Sequence, residues 1–145
     1  REAGMRTMRF NFRGAGASEG VHDHGKGEVD DLVAVYDSLE PDPGDVVLAG
    51  YSFGSIVAAN AAQRLRPKAL VLIAPPTRGM RLPATHCPTH AFIGTADEFS
   101  DAPSLVATAS ASTAFDIIEI DGADHFFTGR LDDLDSAIRD AFLHR

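Results

Sequence analysis

The sequence has little cysteine, few basic residues and no long hydrophobic run. Its single cysteine, Cys87, cannot form a disulfide within the chain, so the fold does not depend on an oxidising compartment and we expect a cytoplasmic location. Thirteen basic against twenty-one acidic side chains give a net charge of -8, which argues against nucleic acid or an anionic membrane surface as the main partner. No apolar stretch approaches the roughly 20 residues that a membrane-crossing helix needs.

What the sequence does contain is typical of a folded globular domain. A chain of 145 residues with 44% hydrophobic content is long enough to bury a core, and it shows no internal repeat or interdomain linker. We therefore predict a single domain over residues 1–145. The chain begins at Arg1 rather than at a methionine, so we expect the domain to be incomplete at its N-terminus.

Short apolar runs alternate with stretches of helical periodicity along the chain. The runs predict five strands, at residues 8–12, 46–49, 69–74, 90–93 and 115–120. The periodic stretches predict four helices, at residues 28–39, 54–65, 102–109 and 131–142. This alternation predicts an α/β fold with a mostly parallel sheet in a three-layer α/β/α arrangement.

The most informative motif is Gly-Tyr-Ser-Phe-Gly at residues 50–54, between a predicted strand and a predicted helix. This position favours a nucleophile elbow, a tight turn that lifts the Ser52 hydroxyl out of the sheet. Glycine is expected at both flanking positions because side chains there would collide with neighbouring backbone. The motif alone is not specific, since a serine here can also simply cap the following helix.

Two further reactive side chains follow predicted strands. Asp97 comes after the fourth strand and His125 after the fifth, and in open α/β sheets such groups gather beyond the carboxyl ends of the strands. His125 could also be an ordinary loop histidine. Three other acidic residues are rivals of Asp97 for the role of acidic partner: Glu98, Asp101 and Asp124. A carboxylate next to the histidine in sequence seldom folds back onto its ring, so we interpret Asp124 as a turn or capping residue.

The order serine, aspartate, histidine resembles the triad of the α/β-hydrolase superfamily. Residues 9–14 (RFNFRG) with Gly16 and Ser18 are similar to the fourth strand and following turn of small, lidless bacterial hydrolases related to dienelactone hydrolase. The segments at 94–98 (GTADE) and 122–127 (GADHFF) are similar to the acid and histidine loops of that group. The resemblance covers nearly the whole chain and starts at the family's fourth strand.

This resemblance implies a role for each residue of the site. Ser52 would attack an acyl carbonyl, His125 would take its proton and return it to the leaving group, and Asp97 would orient the imidazole. The backbone amide of Phe53 would supply one donor of the oxyanion hole. In the family a third strand lies between the fourth and fifth and the loop after it supplies the second donor, so we expect a gap or a shifted strand and a half-built oxyanion hole, at a cost of about 10²–10³ in rate.

Other clusters of side chains are weaker candidates. The stretch 22–24 (HDH) and the set His86, Cys87 and His90 suggest metal ligands, but neither has the matching spacing of a known site. We therefore predict no metal and no cofactor.

The sequence thus predicts a serine hydrolase that cleaves a small ester or thioester through an acyl-enzyme. Only a short stretch separates Ile73 from His90, which leaves no room for a large lid. The expected partner is a small-molecule acyl substrate. The alternative is an inactive α/β-hydrolase fragment that acts as a binding module, and triad geometry would separate the two possibilities.

Overall fold

One parallel sheet with helices on both faces forms the architecture of the computed structural model, which describes residues 6–42 and 44–143. The strands are β1 Val47–Tyr51, β2 Ala69–Ile73, β3 Thr89–Gly94 and β4 Phe115–Ile120. The helices are α1 Lys26–Ser38, α2 Phe53–Leu65, α3 Ala102–Ser110 and α4 Leu131–Leu143. The strands lie in the order β1-β2-β3-β4 and each pairs in parallel with the next. The predicted three-layer α/β/α fold class is confirmed.

The apolar core is divided by the sheet into two clusters. On one face Leu70 and Leu72 of β2 pack with residues of α1, α2 and α3, and on the other face Val71 packs with residues of α4. β2 and β3 are buried almost throughout because helices cover both of their faces. Within the described part of the chain, no helix is both long and apolar enough to cross a bilayer.

The sheet brings the carboxyl ends of its strands to one edge. Tyr51 is in register with Ile73, Ile73 with Phe92, and Gly94 with Ile120. The segments that follow β1, β3 and β4 therefore begin side by side. These segments contain Ser52, Asp97 and His125.

The strand predicted at residues 8–12 is absent, so the part of the chain that the structure describes forms four strands where five were expected. The sequence of residues 8–12 favoured a strand, but Met8 is 59% exposed and the segment joins no sheet. A β-strand needs a hydrogen-bonded neighbour. Within residues 6–42 and 44–143, β1 pairs only with β2, so residues 8–12 do not pair with its other edge. The segment instead packs through the edge of the Phe12 ring on Phe53, at a centroid distance of 6.1 Å.

The start of α1 is organised by a buried carboxylate. Glu28 is fully buried, and it accepts hydrogen bonds from the backbone amides of Asp23 (2.7 Å) and Gly25 (2.8 Å). The Nδ1 atom of His22 lies 2.8 Å from the same carboxylate, and Asp23 in turn accepts from the amide of Gly27 at 3.0 Å. These contacts hold residues 22–25 against the first turn of the helix, and they give the 22–24 stretch a structural role.

We expect Glu28→Gln to lower the free energy of unfolding by about 2–3 kcal/mol, because an amide cannot accept all of the bonds that the buried carboxylate accepts. Urea unfolding at neutral pH measures the difference. Glu19→Gln is the matched control, since Glu19 is exposed and its substitution should change stability by less than about 0.5 kcal/mol. Equal effects for the two variants would contradict the role assigned to Glu28.

The change in the free energy of unfolding caused by Glu28→Gln should depend on pH. Burial acts to raise the pKa of Glu28, but the backbone hydrogen bonds and nearby His22 outweigh it and the pKa lies below its usual value. The contribution of Glu28 is therefore present above the unfolded-state pKa of about 4.3 and is lost as pH falls through the lower folded-state pKa. The stability gap between parent and Glu28→Gln should narrow in acid, and a gap that widens there would contradict this sign.

Candidate active site

Ser52 lies on a strained turn between β1 and α2. Its backbone has φ 51° and ψ -123°, a conformation that costs a non-glycine residue about 1–3 kcal/mol. The surroundings hold it there: the Ser52 amide donates to the carbonyl of Ile73 at 2.8 Å, and its own carbonyl accepts from the Ser55 amide at 2.9 Å and the Ser55 hydroxyl at 2.6 Å. This is the geometry that the motif predicted for a nucleophile elbow.

The two glycines of the elbow differ in the space that is available for a side chain. A Cβ added at Gly50 would overlap the backbone of Gly54 and lie 2.6 Å from the Ser55 amide nitrogen, as expected from the motif. A Cβ added at Gly54 meets no atom within 4 Å among the described residues, so the predicted collision is wrong at that position. The tight approach of β1 and α2 is therefore confined to Gly50.

We expect Gly50→Ala to destabilise the protein by about 3 kcal/mol, because the backbone of the elbow cannot move aside without loss of its hydrogen bonds. Thermal or urea unfolding measures the change. Gly54→Ala is the matched control: it lies in a helix where alanine is favoured over glycine by about 1 kcal/mol, so it should be neutral or slightly stabilising. A larger loss at Gly54 than at Gly50 would contradict this account.

Asp97 follows β3 and is held by its own loop. One carboxylate oxygen, Oδ1, accepts from the Phe99 amide at 2.8 Å, and Oδ2 lies 3.0 Å from the Ser100 hydroxyl. The Ser100 hydroxyl also reaches the carbonyl of Pro75 at 2.8 Å, which ties the loop to the end of β2. The side chain of Asp97 is thereby buried and fixed in direction.

His125 follows β4 and lies between the other two predicted residues. Its Nε2 atom is 2.9 Å from Ser52 Oγ, and its Nδ1 atom is 2.9 Å from Asp97 Oδ2. The Tyr51 hydroxyl donates to the carbonyl of His125 at 3.0 Å and so ties the histidine loop to the end of β1. The structure thus brings the three predicted side chains into one hydrogen-bonded line.

The hydrogen bonds of this line determine which ring nitrogen of His125 carries the proton. A carboxylate accepts hydrogen bonds only, so Nδ1 carries the proton of a neutral imidazole and Nε2 is left with a free lone pair. That lone pair faces the Ser52 hydroxyl. Withdrawal of the hydroxyl proton by Nε2 would convert a poor nucleophile into a strong one.

The rivals for the acidic position are used elsewhere. Asp101 caps α3, where its carboxylate accepts from the Ser104 hydroxyl at 2.6 Å and amide at 3.0 Å, bonds that lower its pKa. Asp124 accepts from the Thr128 amide at 2.9 Å, and hydrogen bonds from Thr128 lower its pKa as well. Asp124 is the turn residue that the sequence predicted, and Glu98 is exposed.

The Phe53 amide, predicted as an oxyanion donor, is the first of α2. It donates to no backbone carbonyl of the described residues, so it is available to a ligand at Ser52. The amides of Gly14 and Ala15, in the glycine turn, are already engaged with the carbonyls of Glu19 and Phe12, both at 3.0 Å. A donor from residues 1–5 would lie outside the described residues, so the prediction of a half-built oxyanion hole stays a prediction.

Aromatic side chains around His125 were missed at the level of sequence. The rings of Phe99, Phe126 and Tyr51 lie 4.7, 5.3 and 5.7 Å from the imidazole. The contact of Ser100 with Asp97 was missed too. A signal for it was present, because an aspartate often accepts a hydrogen bond from the backbone amide two residues onward and so forms a turn. The aromatic rings had no such signal, because they come from the ends of three different strands and the loops after them.

The candidate metal ligands do not converge in the structure. Of the described residues, no group of three or more histidine, cysteine or acidic side chains is arranged to hold a metal ion. His86 is exposed, while His90 is buried in β3. Burial raises the pKa of the half-buried Cys87 thiol, which makes it a weak ligand.

The comparisons with known proteins agree with this fold. A family model described as the alpha/beta hydrolase family matches residues 1–134. The chain belongs to the alpha/beta hydrolase family, as its motifs predicted.

Three individual proteins illustrate what the chain is similar to. The chain is 34% identical to an alpha-beta serine hydrolase homologue of Coxiella burnetii, with a TM-score of 0.83 over 92% of this chain and 67% of that one. It is 35% identical to a serine hydrolase without a lid from Xanthomonas campestris, with a TM-score of 0.81 over 90% of this chain and 62% of that one. An uncharacterized protein of Rickettsia prowazekii is 31% identical over 94% of this chain. The chain spans 64% of the length of that Rickettsia protein.

Proposed function

We propose that this chain is a serine hydrolase that cleaves a small ester or thioester through a covalent acyl-enzyme. The observation that carries the proposal is the line of hydrogen bonds from Ser52 through His125 to Asp97, anchored on a strained elbow. Membership of the hydrolase family supports the same reaction class. The direct contact between acid and histidine favours an enzyme over a non-catalytic binding module.

The first half of the reaction would acylate the serine. Ser52 Oγ attacks the acyl carbonyl while Nε2 of His125 takes its proton, and the amide of Phe53 donates to the oxyanion that forms. The tetrahedral intermediate then collapses. The bond to the leaving oxygen or sulfur breaks, and the leaving group departs with the proton from Nε2.

The second half would release the acid. Water enters beside His125, gives a proton to Nε2 and attacks the acyl carbon, and collapse returns that proton to Ser52 Oγ. Asp97 keeps the imidazole in one tautomer and orientation throughout. The proposed reaction uses no metal or cofactor, and no nucleic acid or membrane takes part in it. We also propose a cytoplasmic location.

The substrate is expected to be small and to enter from solvent. Residues 74–88, between β2 and β3, form only turns and irregular backbone, so no helical lid lies between these strands. Ser52 itself is only partly buried. Such a site suits soluble esters better than lipid aggregates.

The test is the intact mass of the protein after exposure to a fluorophosphonate probe. Stoichiometric labelling of the parent, with none of Ser52→Ala, is the expected result, because only an activated serine displaces the fluoride. Urea unfolding of both proteins checks that the variant is folded. An unlabelled but folded parent would overturn the proposal and leave the binding module as the better description.

A further inference from the structure

Three aromatic side chains form what we call the aromatic rim of the site: Tyr51, Phe99 and Phe126. Each follows or ends a different strand, and all three rings lie within 6 Å of the imidazole of His125. Phe126 stands edge-on to it, at an interplanar angle of 87°. The rim therefore borders the one group of the proposed triad that exchanges protons with a leaving group.

The rim leaves much of its own surface in solvent. Tyr51 is 44%, Phe99 45% and Phe126 67% exposed. A ring that served only to shield the histidine would be buried, because burial of a phenylalanine side chain is favourable by about 1.5–3 kcal/mol. Exposed aromatic rings beside a reactive centre are instead available to a ligand, and such rings dominate binding energy at interfaces.

The position of the rim indicates which part of the substrate it would contact. In the proposed reaction Nε2 of His125 hands its proton to the leaving oxygen, so that oxygen comes within hydrogen-bond distance of the ring. The group attached to the leaving oxygen must then pass beside Phe99 and Phe126. The acyl group, by contrast, extends from the carbonyl carbon over Ser52.

The charges around the rim are mostly negative. Asp97 and Asp124 lie close enough to act on Tyr51, whose pKa is raised first by burial and then by these two charges. Glu98 and Asp121 are exposed on the adjoining loops. Two cations lie nearby: Arg130 pairs with Asp133 at 3.3 Å, while Arg78 donates from its backbone amide to the carbonyl of Phe99 at 3.0 Å and from Nε to that of Ser100 at 3.2 Å. The four carboxylates outnumber these two cations, so the surroundings of the rim are net negative and disfavour an anionic leaving group.

We propose that Phe99 and Phe126 form the binding surface for the alcohol part of the substrate and select esters of uncharged aromatic alcohols. This inference rests on the proposed function and narrows its substrate class. It follows that acyl carriers with phosphate groups are poor substrates. The two phenylalanines act on the choice between alcohols and take no part in proton transfer.

The test compares kcat/KM for acetate esters that differ only in the alcohol: benzyl, 4-carboxybenzyl and ethyl acetate. The parent should prefer benzyl acetate, and Phe126→Ala should lower kcat/KM for that ester about tenfold, the upper range for one aromatic contact. Its effect on ethyl acetate should stay within about twofold. Phe99→Ala should act in the same direction. Val106→Ala, which removes an exposed apolar side chain on α3, is the control and should change neither rate.

The outcomes separate this inference from the proposed function. Equal losses on benzyl and ethyl acetate would show that Phe126 acts on the structure of the site and would overturn the inference. A preference for the 4-carboxybenzyl ester would overturn it too. In both cases fluorophosphonate labelling would still support the hydrolase.

The binding surface formed by Phe99 and Phe126 can be tested even if the protein does not hydrolyse an ester. Saturation-transfer NMR with benzyl alcohol needs no reaction, and it should report binding to the parent and to Ser52→Ala. The signal should weaken in Phe126→Ala. Equal signals from Ser52→Ala with and without the Phe126→Ala change would overturn the inference whatever the labelling result.

Discussion

His125→Ala is expected to lower kcat for ester hydrolysis by about 10⁴- to 10⁶-fold, the loss seen when the base of a serine triad is removed. The physical reason is the 2.9 Å contact between Nε2 and Ser52 Oγ, which no other described base replaces. Without it the serine hydroxyl keeps its proton as it attacks. Kinetics with an activated ester and the rate of fluorophosphonate labelling both measure the loss.

Two comparisons make this prediction sharp. The double variant of His125→Ala with Ser52→Ala should be no slower than either single variant, because residues that act as a unit are not additive. His86→Ala is the matched control, since His86 is an exposed histidine away from the site and its loss should leave kcat unchanged. Additive losses, or labelling of His125→Ala at the parent rate, would contradict the assigned role of His125.

Asp97→Asn is expected to lower kcat by about 10⁴-fold, because an amide can donate to Nδ1 and so favours the tautomer that lacks a lone pair facing Ser52. The substitution keeps the size of the side chain. Its carbonyl oxygen can still accept from the Phe99 amide, so the fold should survive. Steady-state kinetics measure the loss, and KM should change far less than kcat.

The rival carboxylates supply the controls. Asp101→Asn and Asp124→Asn should lower kcat by less than about tenfold, since these side chains bind the Ser104 and Thr128 amides rather than the imidazole. A loss at Asp124→Asn as large as that at Asp97→Asn would identify the wrong acid and would revise the site.

Sequence reasoning located the regular elements well where their signal is local. Strand β4, Phe115–Ile120, was predicted with both of its ends, and α2 differed from its prediction by a single residue at Phe53. Apolar runs and helical periodicity report the burial of each segment's own faces, so they need no knowledge of distant partners. The elbow at Ser52 was equally visible, because its glycine spacing and its position between strand and helix lie within a few residues.

The errors and omissions concern contacts that a sequence pattern does not report. The stretch 8–12 has the pattern of a strand, yet among the described residues it pairs with neither β1 nor any other strand. Gly54 was assigned a collision that its motif implies and that the surrounding atoms do not impose. Glu28 looked like one acidic residue among many, and only the folding of residues 22–25 over α1 buries its carboxylate.

The sequence by itself determined the alternation of strands and helices, the family, and the order of Ser52, Asp97 and His125 along the chain, because these depend on local patterns and motifs. Only the tertiary structure decided which carboxylate faces the histidine and which rings surround it. Asp97, Asp101 and Asp124 are alike as letters, and the turn that each one enters gives it a different partner. Likewise Phe99 and Phe126 lie 27 positions apart and meet at one imidazole because parallel strands bring their ends to the same edge of the sheet.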